Sequence, residues 1–162
     1  ALRSLGFRVF LWNRSPDKAA ELAAEMEGVE VVDALDDAEA TAAMEAAAGS
    51  ASNPAFTGVR AVVCTVPASA GLTLPPRLLA NAPVVLDASY VPPQTALLTQ
   101  AAAAGCPCLR GADLLVAQGV RQWQLWMGRK APEYAMSAQV EARVAALLEK
   151  QRAEEEAAAA QS

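Results

Sequence analysis

The chain has 162 residues, 54% of them apolar, with a formal net charge of −5 and no histidine. That length suffices for one ordinary domain with a real core and not comfortably for two. The absence of a basic stripe argues against nucleic-acid binding, and the apolar runs fall far short of the roughly 20 residues that a membrane span needs.

Without histidine, His-based acid–base work, Ser-His-Asp triads and His-containing metal sites are excluded from this chain. Cys64 sits in an apolar run and reads as a small core residue. Cys106-Pro107-Cys108 has the spacing of a thiol pair but lacks partners for a tetrahedral set, so no metal site is expected. Nothing resembles a secreted disulfide scaffold or a targeting segment, so a reducing compartment is expected, cytoplasmic or plastid. The first residue is Ala1 rather than Met, and the natural N-terminus is expected to be missing.

In chain order, residues 1–5 read as the last turns of a helix closed by Gly6, and 7–12 (FRVFLW) as a strand. Ser15 as N-cap, Pro16 at the first helical position and Asp17 in the first turn predict a helix over 16–26. Residues 29–32 read as a second strand, 33–48 as a helix and 49–58 as a loop. The continuous apolar runs at 59–66 (VRAVVCTV) and 83–87 (PVVLD) predict buried strands, with a short helix at 75–80 between them. An Ala-rich helix over 95–104 stops at Gly105, and 108–110 forms a short last strand. Residues 111–127 are helical, with Leu115, Gly119, Gln122 and Trp126 along one face. Val140, Val144, Leu147 and Leu148 repeat at helical spacing in a final amphipathic helix. The charged stretch 150–162 is either a solvated helix extension or disordered, and no function is assigned to it.

Strands alternating with helices imply an α/β, Rossmann-like, doubly wound parallel sheet. Ligands of such sheets bind at the carboxyl ends of the strands. Those ends carry the unusual residues of this chain: Asn13-Arg14-Ser15, Thr65-Val66-Pro67, the segment 87–92, and Gly111.

In a dinucleotide-binding fold the residue ending the second strand faces the adenosine ribose, and an acid there selects NAD. Here the position holds Asn13 followed by Arg14, whose guanidinium would attract a 2′-phosphate; Ser15 adds a hydroxyl and Lys18 a charge. This pattern favours NADP. Arg14 and Lys18 read equally as surface charges at a helix start, although cations there oppose the helix dipole. The glycine-rich phosphate loop belongs about 20 residues before that position, so it and the first strand are expected to precede Ala1, leaving the sheet incomplete.

Asp87-Ala88-Ser89-Tyr90-Val91-Pro92-Pro93-Gln94-Thr95 resembles the D-x-x-Y-x-P-x-x-T signature of the shikimate and quinate dehydrogenases. Gly111-x-x-Leu114-Leu115-x-x-Gln118, followed by Gln122-Trp123-x-x-Trp126-x-Gly128, is similar to that family's G-x-x-M-L-x-x-Q run and its continuation. Asn13-Arg14-Ser15-x-x-Lys18-Ala19 resembles its cofactor motif, and Thr65-Val66-Pro67 its strand end. The resemblance covers residues 1–130 in the right order. The T-V-P-A and L-V-x-Q-G variants look more like the dehydrogenase segment ending the fused five-activity shikimate-pathway polypeptide of fungi and some protists.

The resemblance implies a domain over 1–149, the partial C-terminal NADP-binding half of a shikimate dehydrogenase, with 150–162 as a tail. It implies that Asn13, Arg14, Ser15 and Lys18 hold the 2′-phosphate end and that Thr65, Val66 and Pro67 line the adenosine and ribose path. Tyr90 would stand near the nicotinamide and the substrate. The backbone of Gly111 would contact the carboxamide, Leu114 and Leu115 would pack on the nicotinamide ring, and Gln118 would bond a substrate hydroxyl. Ser15 and Leu114 stand where the family has Thr and Met, and the Asn expected before Thr65 is replaced by Cys64 or absent.

Each of these residues has a structural reading as well. Asp87 can bond nearby backbone N–H groups, Tyr90 can cap, Gln118 can be solvated, and Trp123 and Trp126 can serve core or interdomain packing. The family's acid–base Lys and Asp lie in an N-terminal substrate domain, and Lys130 and Lys150 here lie in or near polar surface segments without a matching context. No catalytic residue is therefore expected in this chain, which alone would be inactive. The implied partners are shikimate and 3-dehydroshikimate, the substrate domain, and, in a fused polypeptide, other shikimate-pathway domains. Quinate as substrate, or a degenerate Rossmann module serving as an interaction domain, remain the alternatives.

Overall fold

The computed structural model describes residues 2, 4, 6–35, 42, 44 and 58–159. The expected helix over 33–48 lies mostly outside the described residues. Within it Ala42 and Met44 are helical, whereas residues 33–35 are not.

The chain divides into two compact units, residues 1–60 with 74–83, and residues 61–73 with 84–162. In the first, β1 (Val9–Leu11) runs parallel to β2 (Val29–Val31), with Val9 opposite Val29 and Leu11 opposite Val31. The two strands are joined by α1 (Pro16–Glu25), a crossover of the length that parallel pairing demands. Arg8 clamps this pair by donating to both carboxylate oxygens of Glu30 at 2.7 and 2.9 Å. Ala19 and Val32 are buried in this unit, as are Leu78 and Leu79 of the short helix α2 (Pro76–Leu79).

In the second unit β3 (Ala61–Cys64), β4 (Val84–Asp87) and β5 (Cys108–Leu109) form a three-stranded parallel sheet in the order β3-β4-β5. A short 3-10 turn over Ala68–Ala70 follows β3. Helix α3 (Ala96–Ala103) packs on β4 and β5; its Leu97, Leu98 and Ala101 are buried, as is Val85, fully enclosed in the central strand. Helix α4 (Gly111–Met127) packs along α5 (Glu133–Ala159), whose Val144 is buried while Val140, Leu147 and Leu148 are half-buried. The two helices are separated by Gly128, which ends α4 in the left-handed conformation that glycine tolerates best.

The parallel α/β architecture expected from the sequence is present, in two sheets of two and three strands among the described residues. The expectation of buried strands fails at β3 and in part at β4, where Val84 is 39% exposed while Val85 and Asp87 are buried. In β3, Val63 is 54% exposed, Ala61 is open, and only Cys64 is buried. Among the described residues β3 is an edge strand, and the helix packs on β4 and β5. The face grouping of α4 also changes. Gly119 turns toward α5, where Met136 lies against it, while Leu115, Gln122 and Trp126 stay exposed. Trp126, at 77% exposure, is no core residue of this chain, whereas Trp123 is half-buried beneath the Arg129 guanidinium, 5.7 Å from its ring centre.

Candidate functional site at the strand carboxyl ends

In the second unit the register sets Cys64 opposite Asp87 and Leu86 opposite Leu109, so β3 and β4 finish at one level and β5 one residue short of it. Beyond these ends lie Thr65-Val66-Pro67, the segment 88–95 and Arg110-Gly111. The Ala88 N–H donates to the Cys64 carbonyl at 2.9 Å, extending the ladder by one step before the chains part.

Asp87 ends β4 and is 2% exposed. A buried carboxylate is costly unless its oxygens are satisfied. One oxygen accepts the Ser89 N–H at 3.0 Å and the other the Thr95 hydroxyl at 2.8 Å. That hydroxyl in turn accepts the Leu98 N–H at 3.2 Å, capping α3. Asp87, Thr95 and the helix start thus close the loop that carries Tyr90 and the cis Val91–Pro92 bond. Asp87 acts structurally here, through the backbone N–H bonding that a strand-end acid permits.

Burial raises the Cys64 thiol above its ordinary range, and the facing Asp87 pushes in the same direction. The thiol is therefore neutral and inert rather than nucleophilic, as its place in an apolar strand predicts. Burial also raises Cys106.

Gly111 opens α4 directly against the loop after β4. A Cβ at this position would collide with the Ala88 carbonyl oxygen and stand 2.5 Å from that of Ser89. The glycine is therefore required by the approach of two backbone segments within the protein. Arg110 precedes it as the helix N-cap. Its N–H donates to the Asp113 carboxylate at 2.8 Å, and its guanidinium binds Asp113 at 2.7 Å and Glu141 of α5 at 2.6 Å. The guanidinium holds the Asp113 carboxyl below the usual carboxylate range, and the two acids raise Arg110 in return. This three-residue network was not anticipated, although the Arg-x-x-Asp spacing at a helix start is its visible trace.

Pro67, Ala68 and Ser69 after β3, and Ser89, Tyr90, Val91 and Pro92 after β4, line one open cavity of about 780 Å³. Its remaining wall comes from α5. Of the residues singled out in the sequence, Pro67 and Tyr90 meet in this cavity. Thr65, Val66, Gly111, Leu114 and Leu115 are not among its lining, and Leu115 is exposed. Gln118 lies with Ala117, Arg121 and Gln122 in another open hollow of about 500 Å³.

Asn13, Arg14, Ser15 and Lys18 belong to the first unit, at the carboxyl end of β1. Asn13 accepts the Ser15 N–H at 2.9 Å through its side-chain oxygen, forming an Asx turn that starts α1. Ser15 occupies the N-cap position as expected, but its hydroxyl makes no capping bond; its carbonyl accepts from Lys18 and Ala19 instead. Arg14 is exposed and makes no ion pair among the described residues. A guanidinium beside a hydroxyl and a helix N-terminus is a donor set suited to a phosphate. Among the described residues no group of His, Cys, Asp and Glu is placed to hold a metal ion, and no helix is long and apolar enough to cross a membrane.

A family model described as the Shikimate 5'-dehydrogenase C-terminal domain matches residues 111–141. The shikimate dehydrogenase (NADP(+)) of Moorella thermoacetica is 35% identical over 130 residues, covering 78% of this chain and 42% of that protein. The structure of shikimate 5-dehydrogenase from Thermus thermophilus, in complex with NADP(H) and shikimate, superposes with a TM-score of 0.63 at 25% identity, over 89% of this chain and 49% of that one. The dehydroquinate dehydratase and shikimate dehydrogenase of S. pombe AroM superposes at 0.65 and 26% identity, over 86% of this chain and 26% of that one. The chain thus spans less than half the length of each of these proteins.

Proposed function

Because the chain belongs to the shikimate dehydrogenase family, as part of its C-terminal domain, we propose that it supplies the NADP-binding part of an oxidoreductase. The reaction of the whole protein is the reversible reduction of 3-dehydroshikimate to shikimate. The observation that carries this reading is the arrangement at the strand ends. The D-x-x-Y-x-P-x-x-T segment is folded by its own Asp87–Thr95 bond so that Tyr90 lines a cavity with the strand end after β3.

Asn13, Arg14, Ser15 and Lys18 hold the 2′-phosphate end in this reading. The guanidinium and ammonium supply charge, the Ser15 hydroxyl a donor, and the Asx turn of Asn13 fixes the backbone from which they project. Thr65, Val66 and Pro67 line the adenosine and ribose path, and Leu114 and Leu115 offer apolar surface to the nicotinamide. Gly111 and Tyr90 border the reacting end, and Gln118 bonds a substrate hydroxyl. The dinucleotide, when bound, supplies or accepts the hydride. These side chains bind and orient; none is assigned a proton transfer, and residues 150–159 continue the last helix. The likeness to the S. pombe protein supports a further reading in which other shikimate-pathway activities share the polypeptide.

The test is a fluorescence titration of the full-length protein with NADPH and with NADH, beside assays of shikimate and quinate oxidation. NADPH-selective binding that is lost in Arg14→Ala, with shikimate as the faster substrate, is the expected result. Absence of binding to either dinucleotide in a folded protein would overturn it.

A further inference from the structure

The stretch after Glu149 carries no motif, yet the structure gives it a position. Helix α5 continues to Ala159, and Leu147, Lys150, Gln151 and Glu154 line the cavity that Pro67, Ala68, Ser69, Ser89, Tyr90, Val91 and Pro92 border from the strand ends. The four spacings, i, i+3, i+4 and i+7, place them on one helical face. Leu147 belongs to the half-buried stripe, and the other three offer an ammonium, an amide and a carboxylate. On the loop side Ser69, Ser89 and Tyr90, each with a hydroxyl, are among the lining residues.

We propose that this face of α5 is a wall of the ligand site, and that Lys150, Gln151 and Glu154 recognise a ring bearing several hydroxyl groups. A hydroxyl both donates and accepts, so a wall holding a carboxylate acceptor beside ammonium and amide donors suits vicinal hydroxyls better than an aromatic ring or a lone anion. Lys150 and Glu154 pair at 3.6 Å across one turn, with both side chains mostly exposed. Such a pair holds little energy of its own and gives it up readily to a ligand. The pair also keeps the wall near neutrality, which disfavours an isolated phosphate as occupant.

The wall's helix is anchored in its first half. Arg110 bonds Glu141, fewer than two turns before Leu147, and Val144 is buried between them in sequence. Arg110 is thereby a positioning residue for α5, as well as the cap of the helix that begins at Gly111.

This inference rests on the dehydrogenase reading, within which two ligands carry such a ring, the ribose of the dinucleotide and the hydroxylated substrate. The experiment uses the full-length protein, its Lys150→Ala, Gln151→Ala and Glu154→Ala variants, and Lys130→Ala, which lies outside the cavity, as control. Dissociation constants for NADPH and KM values for shikimate are measured separately. A rise of about tenfold in one of the two for Glu154→Ala, a smaller rise for Lys150→Ala and Gln151→Ala, and none for Lys130→Ala is expected, being the scale of one hydrogen bond to a charged group. A rise in the NADPH constant assigns the wall to the ribose; a rise in KM alone assigns it to the substrate. If the unaltered protein binds NADPH and every variant stays within twofold on both readouts, the wall has no ligand role and the dehydrogenase reading stands. If the unaltered protein, shown to be folded, binds neither dinucleotide and turns over neither substrate, both readings fall together.

Discussion

The Thr95 hydroxyl donates a 2.8 Å hydrogen bond to the buried carboxylate of Asp87, eight residues before it, while accepting the Leu98 N–H. One side chain therefore ties a strand end to a helix start and sets the span of the loop between them. Thr95→Val keeps the shape and leaves a buried carboxylate oxygen and a helix N–H without partners. A loss of about 1–3 kcal/mol in unfolding free energy is expected, measured by urea denaturation. Thr95→Ser, which keeps the hydroxyl, should recover most of it.

Two glycines of α4 make a matched comparison. A Cβ at Gly111 meets the backbone of Ala88 and Ser89, which cannot give way without moving the loop. A Cβ at Gly119 stands 2.9 Å from the terminal methyl of Met136, the far end of a flexible side chain. Gly111→Ala should cost about 1–3 kcal/mol, the usual range for overpacking. Gly119→Ala should change stability by less than about 1 kcal/mol, since alanine's better helix propensity offsets the displaced methyl. Thermal unfolding of the two variants checks the contrast; equal losses would mean that the Gly111 contact is not the limiting one.

Acid should weaken the Arg110 network in a defined direction. Asp113 has a carboxyl pKa lowered by the Arg110 guanidinium, so its contribution to stability is present above the ordinary carboxylate pKa of about 3.9 and is lost as pH falls through the lowered folded value. Its side chain is 40% exposed, so solvent screening limits the effect to less than about 1 kcal/mol. Arg110, whose pKa is raised, stays charged throughout the range in which the protein is handled. Melting curves between neutral pH and pH 2 should show a smaller acid dependence for Asp113→Asn than for the unaltered protein.

Arg14 offers a test in the first unit. Its guanidinium is exposed and forms no ion pair among the described residues, so Arg14→Ala should leave the melting temperature unchanged within error. The same variant should weaken NADPH about tenfold to a hundredfold while leaving NADH unaltered, since only the former carries the 2′-phosphate. Equal weakening of both cofactors would point to a fold defect instead.

The pattern of elements was legible where local chemistry decides it. Pro16 and Asp17 mark the start of α1, and Gly128 the end of α4, because capping is a property of a few consecutive residues. The D-x-x-Y-x-P-x-x-T segment was legible as a unit, and Asp87 and Thr95, its two ends, bond each other. What the sequence did not disclose depends on neighbours remote along the chain. The openness of Val63 follows from β3 being an edge strand among the described residues, which no apolar run can reveal. The cavity wall at Lys150, Gln151 and Glu154 reads as solvated charge in isolation, because its i, i+3, i+4, i+7 spacing signals a shared face without saying what that face meets. Gly111 was expected to spare a cofactor's carboxamide, whereas its own chain requires the space first.

The level that β3 and β4 share at their ends, with β5 one residue behind, has a consequence for how this half of the molecule can change. Because Cys64 is aligned with Asp87 and Leu86 with Leu109, the segments that follow start within one residue of a common edge, and beyond Ala88 the segment after β4 has left the ladder. Substitutions at 66–70 or 90–94 alter what the cavity admits without touching a bond of the sheet, whereas Ala88 still donates to Cys64. Preference for one ligand over another can therefore drift, or be engineered, one loop at a time, while Val85 and the helix packed on its strand stay as they are.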